Sequence, residues 1–232
     1  MRLPIAMLAT IWASASCFSV VYGETWSQFR GPSAGQFDRV EHPDEWSNKT
    51  NLAWSVPLTG SGWSSPVVVG ERIFMTAAVS EQAEKPKGMM AGVRSMATYK
   101  KAKPKKYRFV VRSYNLEDGK LVWEKTVGED VPPVVHPSNT YATESPAIEG
   151  ERLFTFFATT GTLVAWNLDG SELWRREVGK FRTGNDFGTG SSLLADNGHV
   201  FLQLDTEERS FVAAFDAGTG EQIWRADRPQ KT

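Results

Sequence analysis

Two stretches of this 232-residue chain carry the side chains best suited to hold a ligand. The first, EKTVGEDVPPVVHPSNTYAT (124–143) with the residue that follows it, offers His136, Asn139, Tyr141 and Glu144. The second, RREVGKFRTGNDFGTG (175–190), offers Arg182, Asn185 and Asp186. With Trp63 they combine donors, acceptors and a flat aromatic face, a set suited to a polar ligand or an extended peptide. The competing reading is that they hydrogen-bond their own loops, stiffened by Pro132, Pro133 and Pro137. No residue is assigned a catalytic role. His42, His136 and His199 lie far apart and show no metal-ligand spacing, so no metal site is assigned. The run GTGSS lacks the lysine and following helix of a phosphate loop, and GSGWSS has the wrong spacing for a nucleophile elbow.

What must position these residues is a repeat. Trp123 and Trp174 are 51 residues apart, and Trp174 and Trp224 are 50 apart. Trp54 fits the same period once an insertion of roughly 20 residues is allowed for. A second signal keeps step: SSPVVVGERIF, ESPAIEGERLF and SSLLADNGHVF share a small polar start, an apolar run, a Gly turn and an aromatic residue. Each unit reads as four short strands rich in Val, Ile, Phe and Thr and separated by Gly-containing turns. The first unit is SSPVVV, RIFMTAA, FVVRSYN and KLVWEKT. The second is SPAIE, RLFTFFAT, TLVAWNL and ELWRREV, and the third SSLLA, HVFLQLD, FVAAFDA and QIWRADR. No window carries a helical stripe. The fold expected is all-β, a β-propeller of four-stranded antiparallel blades, incomplete here at about three blades. All connections from an outer strand to the next inner strand then emerge on one face, which brings the two candidate loops together.

In DAGTG, Asp216 accepts turn N–H groups, Gly220 takes a positive φ, and Trp224 presents its indole to an adjacent blade. Ala214, Asp216, Thr219, Gly220 and Trp224 resemble the tryptophan-docking motif of quinoprotein-type propellers, with partial copies ending at Trp123 and Trp174. WSQFRGP, SSPVVVGERIF and SNTYATESPAIEGERLF look like secreted bacterial PQQ-binding-like propeller repeat proteins. That resemblance implies seven or eight blades, so remaining blades of a longer chain are expected, with NLAWSVPL as the outer strand of a blade completed elsewhere. It also implies, as one alternative, the N-terminal half of a PQQ-dependent alcohol or sugar dehydrogenase with PQQ and calcium on the axis. Glu144 and Asn185 are the right kinds of residue for a hard cation. The adjacent-cysteine disulfide of many such enzymes is absent, because Cys17 is the only cysteine. The leading expectation is a binding or scaffold module of the cell envelope without cofactor. A further alternative is a propeller like the outer-membrane protein assembly factor.

The remaining features bound the setting. Residues 1–23 read as a signal peptide cleaved after Gly23, giving a periplasmic or secreted protein with no transmembrane span after cleavage. A single-span anchor is the rival, and lipidation at Cys17 is disfavoured by Ser14. A net charge of −1 calls for no nucleic acid. The expected divisions are an N-terminal segment 24–62, then blades 63–127, 128–179 and 180–232. The first blade carries an insertion, 81–108, with nine Lys or Arg against two Glu. It reads as a solvated excursion or as a docking arm for an anionic partner, whether protein or cell-envelope polymer.

Overall fold

A computed structural model describes residues 25–33, 35–36, 43–81, 103–136, 139–180, 183 and 186–229. The signal segment 1–23 and residues 82–102 of the basic insertion lie outside the described residues. The chain forms three four-stranded antiparallel sheets, each an up-and-down meander, with no α-helix among the described residues. The first sheet is β1 (Val67–Val69), β2 (Arg72–Ser80), β3 (Tyr107–Asn115) and β4 (Leu121–Asp130). The second is β5 (Ala147–Glu149), β6 (Arg152–Phe157), β7 (Thr162–Asn167) and β8 (Glu172–Glu177). The third is β9 (Leu194–Asp196), β10 (His199–Leu204), β11 (Ser210–Asp216) and β12 (Gln222–Arg228). Three blades of an incomplete propeller result, as the repeat requires.

Two apolar cores lie between the blades. One joins Val67, Phe74, Phe109 and Val111 of the first blade to Leu153, Phe157, Val164 and Trp166 of the second. The other joins Phe154, Leu163 and Trp174 to Val200, Leu202, Phe211 and Phe215. The middle blade is therefore buried on both faces, which explains why RLFTFF and TLVAW are apolar and buried at successive positions instead of alternate ones.

The register shows why each unit needs its particular residues. In the second blade Ala147 faces Phe154, Phe154 faces Ala165, and Ala165 faces Trp174. Directly paired residues share a sheet face, so these four form one row. The small residue in the row lets the two rings meet across it, with Phe154 and Trp174 centroids 5.9 Å apart. Phe74 and Trp123 meet at 5.8 Å across Ser113, and Phe201 and Trp224 at 6.3 Å across Ala214. A β-bulge precedes the tryptophan in every blade, leaving Val122, Leu173 or Ile223 as the extra residue. Such a bulge twists the edge strand and re-aims the side chain that follows.

The indoles of Trp123 and Trp174 each seat on the turn of the next blade, and Trp54 docks on the first blade's turn in the same way. The Trp174 Nε1–H donates to the Ala217 carbonyl at 3.0 Å, and Trp123 donates to Leu168 at 3.0 Å. Trp54 donates to Leu116 at 2.9 Å. Beneath the Trp174 ring lies Gly220 at φ +73°, where an added Cβ would sit 2.5 Å from the indole. Positive φ and contact distance both exclude a side chain there. Asp216 Oδ1 shapes this turn by accepting the N–H groups of Gly218 at 2.9 Å and Thr219 at 2.7 Å. Those donors hold its carboxyl below the usual range. Arg176, two residues past Trp174, adds bonds to the Gly220 and Thr219 carbonyls at 2.9 and 2.7 Å.

Near the axis a polar ladder links the blades. The Ser65 N–H donates to Ser145 Oγ at 2.8 Å, and the Ser145 N–H donates to Ser192 Oγ at 3.1 Å. NLAWSVPL, expected as the outer strand of a blade completed elsewhere, has no ladder partner among the described residues, and its tryptophan docks as the others do.

Replacing Trp174 with Ala removes ring packing and a buried hydrogen bond together, and is expected to lower the unfolding free energy by about 3–5 kcal/mol in urea titration. Ser113 stands where Ala is used elsewhere, and its hydroxyl is buried without a partner. Ser113→Ala should raise stability by about 1 kcal/mol in the same titration, and a loss of stability would reveal a role for that hydroxyl.

Candidate functional site

The two stretches singled out by composition, 124–143 and 175–190, fall largely on the loops 131–146 and 178–193, which run from β4 to β5 and from β8 to β9. They latch onto each other through backbone and side chain alike. The His136 N–H donates to the Asp186 carbonyl at 2.8 Å, and Asn139 Nδ2 donates to the Thr189 carbonyl at 3.1 Å. The His136 and Phe187 rings lie 4.7 Å apart. Gly188, at φ +78°, packs so closely that an added Cβ would fall 2.5 Å from the Asn139 amide. Thr183 Oγ1 accepts the Gly188 N–H at 2.6 Å and fixes the second loop's own turn.

Within the first loop Asn139 Oδ1 accepts the Tyr141 N–H at 2.8 Å. This bond accompanies a left-handed Tyr141 backbone, φ +64°, a strain of roughly 1–3 kcal/mol held by the surrounding contacts. The Tyr141 hydroxyl donates to the Pro133 carbonyl at 3.1 Å, and its ring packs 4.8 Å from Tyr107. Loop-internal bonding and cross-loop bonding thus coexist.

Between the loops is a cleft of ≈ 210 Å³. Pro132, Pro133, Val134, Val135, Tyr141 and Ala158 supply apolar wall, while Asn139, Glu144, Asp186, Thr183 and Thr189 supply polar groups. At one side Lys180 pairs with Asp130 at 2.5 Å, and that ammonium holds the Asp130 carboxyl below its usual range. Glu144 is the exceptional member, 3% exposed and accepting a hydrogen bond from the Thr189 hydroxyl. Burial outweighs the bonds from that hydroxyl and from local backbone N–H groups, and the carboxyl is raised from 4.5 to about 7.

The structure brings together Asn139, Tyr141, Glu144 and Asp186 in the lining, with His136 packed against Phe187 behind the latch. Arg182 and Asn185 lie outside the described residues. Trp63 is not part of the cleft. Its backbone N–H donates to the Ala142 carbonyl at 2.9 Å, and the residue is 52% exposed. Gly62 is wedged against the Thr76 and Ala142 carbonyls, which fixes the backbone without turning that ring toward the cleft. Composition did not single out Lys180, Asp130 or Thr189. Lys180 was readable as the lone lysine of the second loop, but its pairing with the end of β4 depends on blade packing. Among the described residues no group of three or more His, Cys, Asp or Glu is placed to hold a metal ion. No helix among them is long and apolar enough to cross a membrane.

Residues 108–232 match the family model PQQ_2, described as outer membrane protein assembly factor BamB. No curated protein matches the chain. Among solved structures it resembles the quinohemoprotein alcohol dehydrogenase ADHIIG from Pseudomonas putida HK5. That match has 19% identity and a TM-score of 0.55, and covers 88% of this chain and 26% of that one. It also resembles the quinohemoprotein alcohol dehydrogenase from Comamonas testosteroni. There the identity is 17%, the TM-score 0.54, and the coverage 89% and 27%. These likenesses are ones of fold, and the chain spans about a quarter of the length of either enzyme.

The raised Glu144 carboxyl sets a pH dependence. The folded state holds this proton more tightly than the unfolded chain, so the group's contribution is full below pH 4.5 and is lost as pH rises through about 7. Stability is expected to fall by about 3 kcal/mol between pH 5 and pH 8 from this group. Urea titrations of wild type and Glu144→Gln across that range check it: the variant should show a flatter profile, and parallel profiles would contradict the assignment.

Proposed function

We propose, from the premise that this chain belongs to the PQQ_2 family of outer membrane protein assembly factor BamB, that it is an exported binding module of the bacterial cell envelope. In this reading residues 1–23 direct export and are removed after Gly23, and the loop face of the propeller holds a partner without catalysing a reaction. The observation that carries it is the latched pair of loops, His136 to Asp186 and Asn139 to Thr189, which preform an apolar-walled cleft on a rigid scaffold. A preformed cleft avoids the ordering cost that a mobile loop incurs on binding. The family description, an assembly factor for outer membrane proteins, supports a protein partner in the envelope.

The second reading is one part of a PQQ-dependent dehydrogenase, favoured by a buried carboxyl raised to about 7, in the range suited to a general base. The charge of the cleft opposes it. A quinone bearing several carboxylates needs cations around it, whereas the described lining offers Asp130, Glu144 and Asp186 against Lys180, already bound to Asp130. The donor set does not fit that cofactor.

Full-length protein titrated with PQQ and calcium should show neither saturable uptake in the quinone absorbance nor reduction of an artificial dye. A photo-crosslinker placed at Phe187 should meanwhile yield a discrete adduct with an envelope protein. Uptake with turnover would replace the binding module with the dehydrogenase.

A further inference from the structure

Glu144 is not explained by the fold. The corresponding residues of the other blades are Ser64 and Ser191, and the neighbouring Ser145 by itself makes the polar link between blades. A blade therefore needs no carboxyl at this position, and burying one is costly. The carboxyl nevertheless lines the cleft, 3% exposed, with the Thr189 hydroxyl on Oε1 and no lysine or arginine paired with it among the described residues. The basic group of the described lining, Lys180, is occupied by Asp130 at 2.5 Å. An apolar-walled cleft with acidic groups in excess and a desolvated carboxyl is complementary to a ligand that is apolar along its length and positive at its end.

Resting on the binding-module reading, we propose that the cleft takes an aliphatic primary ammonium, the end of a lysine side chain on a partner polypeptide. Its methylene stem lies along Pro133, Val135 and Tyr141, and its ammonium meets the Glu144 carboxylate. Long cationic side chains bury their stems against apolar surface in this way. An ammonium is favoured over a guanidinium because it carries three donors on a compact point charge, whereas the five N–H groups of arginine would need more partners than this buried carboxyl and Thr189 leave open. The pairing also supplies what the buried carboxyl lacks, an opposite charge at hydrogen-bond distance. The Glu144 proton passes to solvent as the ammonium arrives, so charge in the cleft stays balanced.

The experiment titrates isotope-labelled full-length protein with N-acetyl-lysine methylamide and with the neutral analogue that lacks only the ammonium, N-acetyl-norleucine methylamide, following backbone amide resonances by NMR. The lysine probe should shift the Asn139, Glu144 and Thr189 amides and bind at least about tenfold more tightly than the norleucine probe, as expected for one charge-assisted hydrogen bond. Glu144→Gln should erase that margin and leave norleucine binding unchanged. Equal affinity of the two probes overturns the ammonium assignment while a binding cleft remains. Silence of those amides toward both probes overturns it too, and quinone uptake in the preceding experiment removes the binding module itself. If the variant does not fold, the margin between probes on the unaltered protein decides alone.

Discussion

The molecule depends on an indole of one sheet lying on the glycine of the next sheet's turn. A four-stranded meander of about two dozen strand residues buries one face at most, too little to offset its ordering entropy. Stacking on a neighbour supplies the second face, and the tryptophan fixes where the neighbour sits. Its ring plane sets the spacing against Gly119, Gly170 or Gly220, and its N–H sets the angle through a single carbonyl. The same residue type reports what docking contributes: Trp174, covered by the third blade's turn, is 7% exposed, while Trp224 is 43% exposed.

The two repeat signals of the sequence are the two halves of one contact. The aromatic after the Gly turn is Phe74, Phe154 or Phe201, and each meets the tryptophan of its own blade across a small residue. That is why the markers keep phase, and why strand order and fold class were readable from spacing alone. The bulge before each tryptophan was not readable, because Val122, Leu173 and Ile223 look like ordinary strand residues and the bulge exists only in the pairing. NLAWSVPL carries the same tryptophan signal, and its side chain docks on a turn while its backbone has no ladder partner among the described residues.

Legibility of the site divides along the same line. Asn139, Tyr141, Glu144 and Asp186 could be gathered in advance because blade geometry forces both loops onto one face. Trp63 could not be sorted from them, since the shared face does not determine which way a side chain turns. The Lys180–Asp130 pair and the Thr189 hydroxyl on Glu144 span separate repeats. Contacts of that kind follow from the distance between blades, a quantity no local pattern contains.

Scaffold and site also differ in how they treat polar groups. In the turn, Asp216 is half-buried and surrounded by donors, so its charged form is favoured and its carboxyl stabilises the docking surface. In the cleft, Glu144 sits where Ser64 and Ser191 stand in the other blades, and burial disfavours its charge. The first arrangement lowers the free energy of the fold at neutral pH and the second raises it. A group that weakens its own scaffold in one blade, where a serine serves in the others, marks the place at which the repeat departs from what packing alone requires.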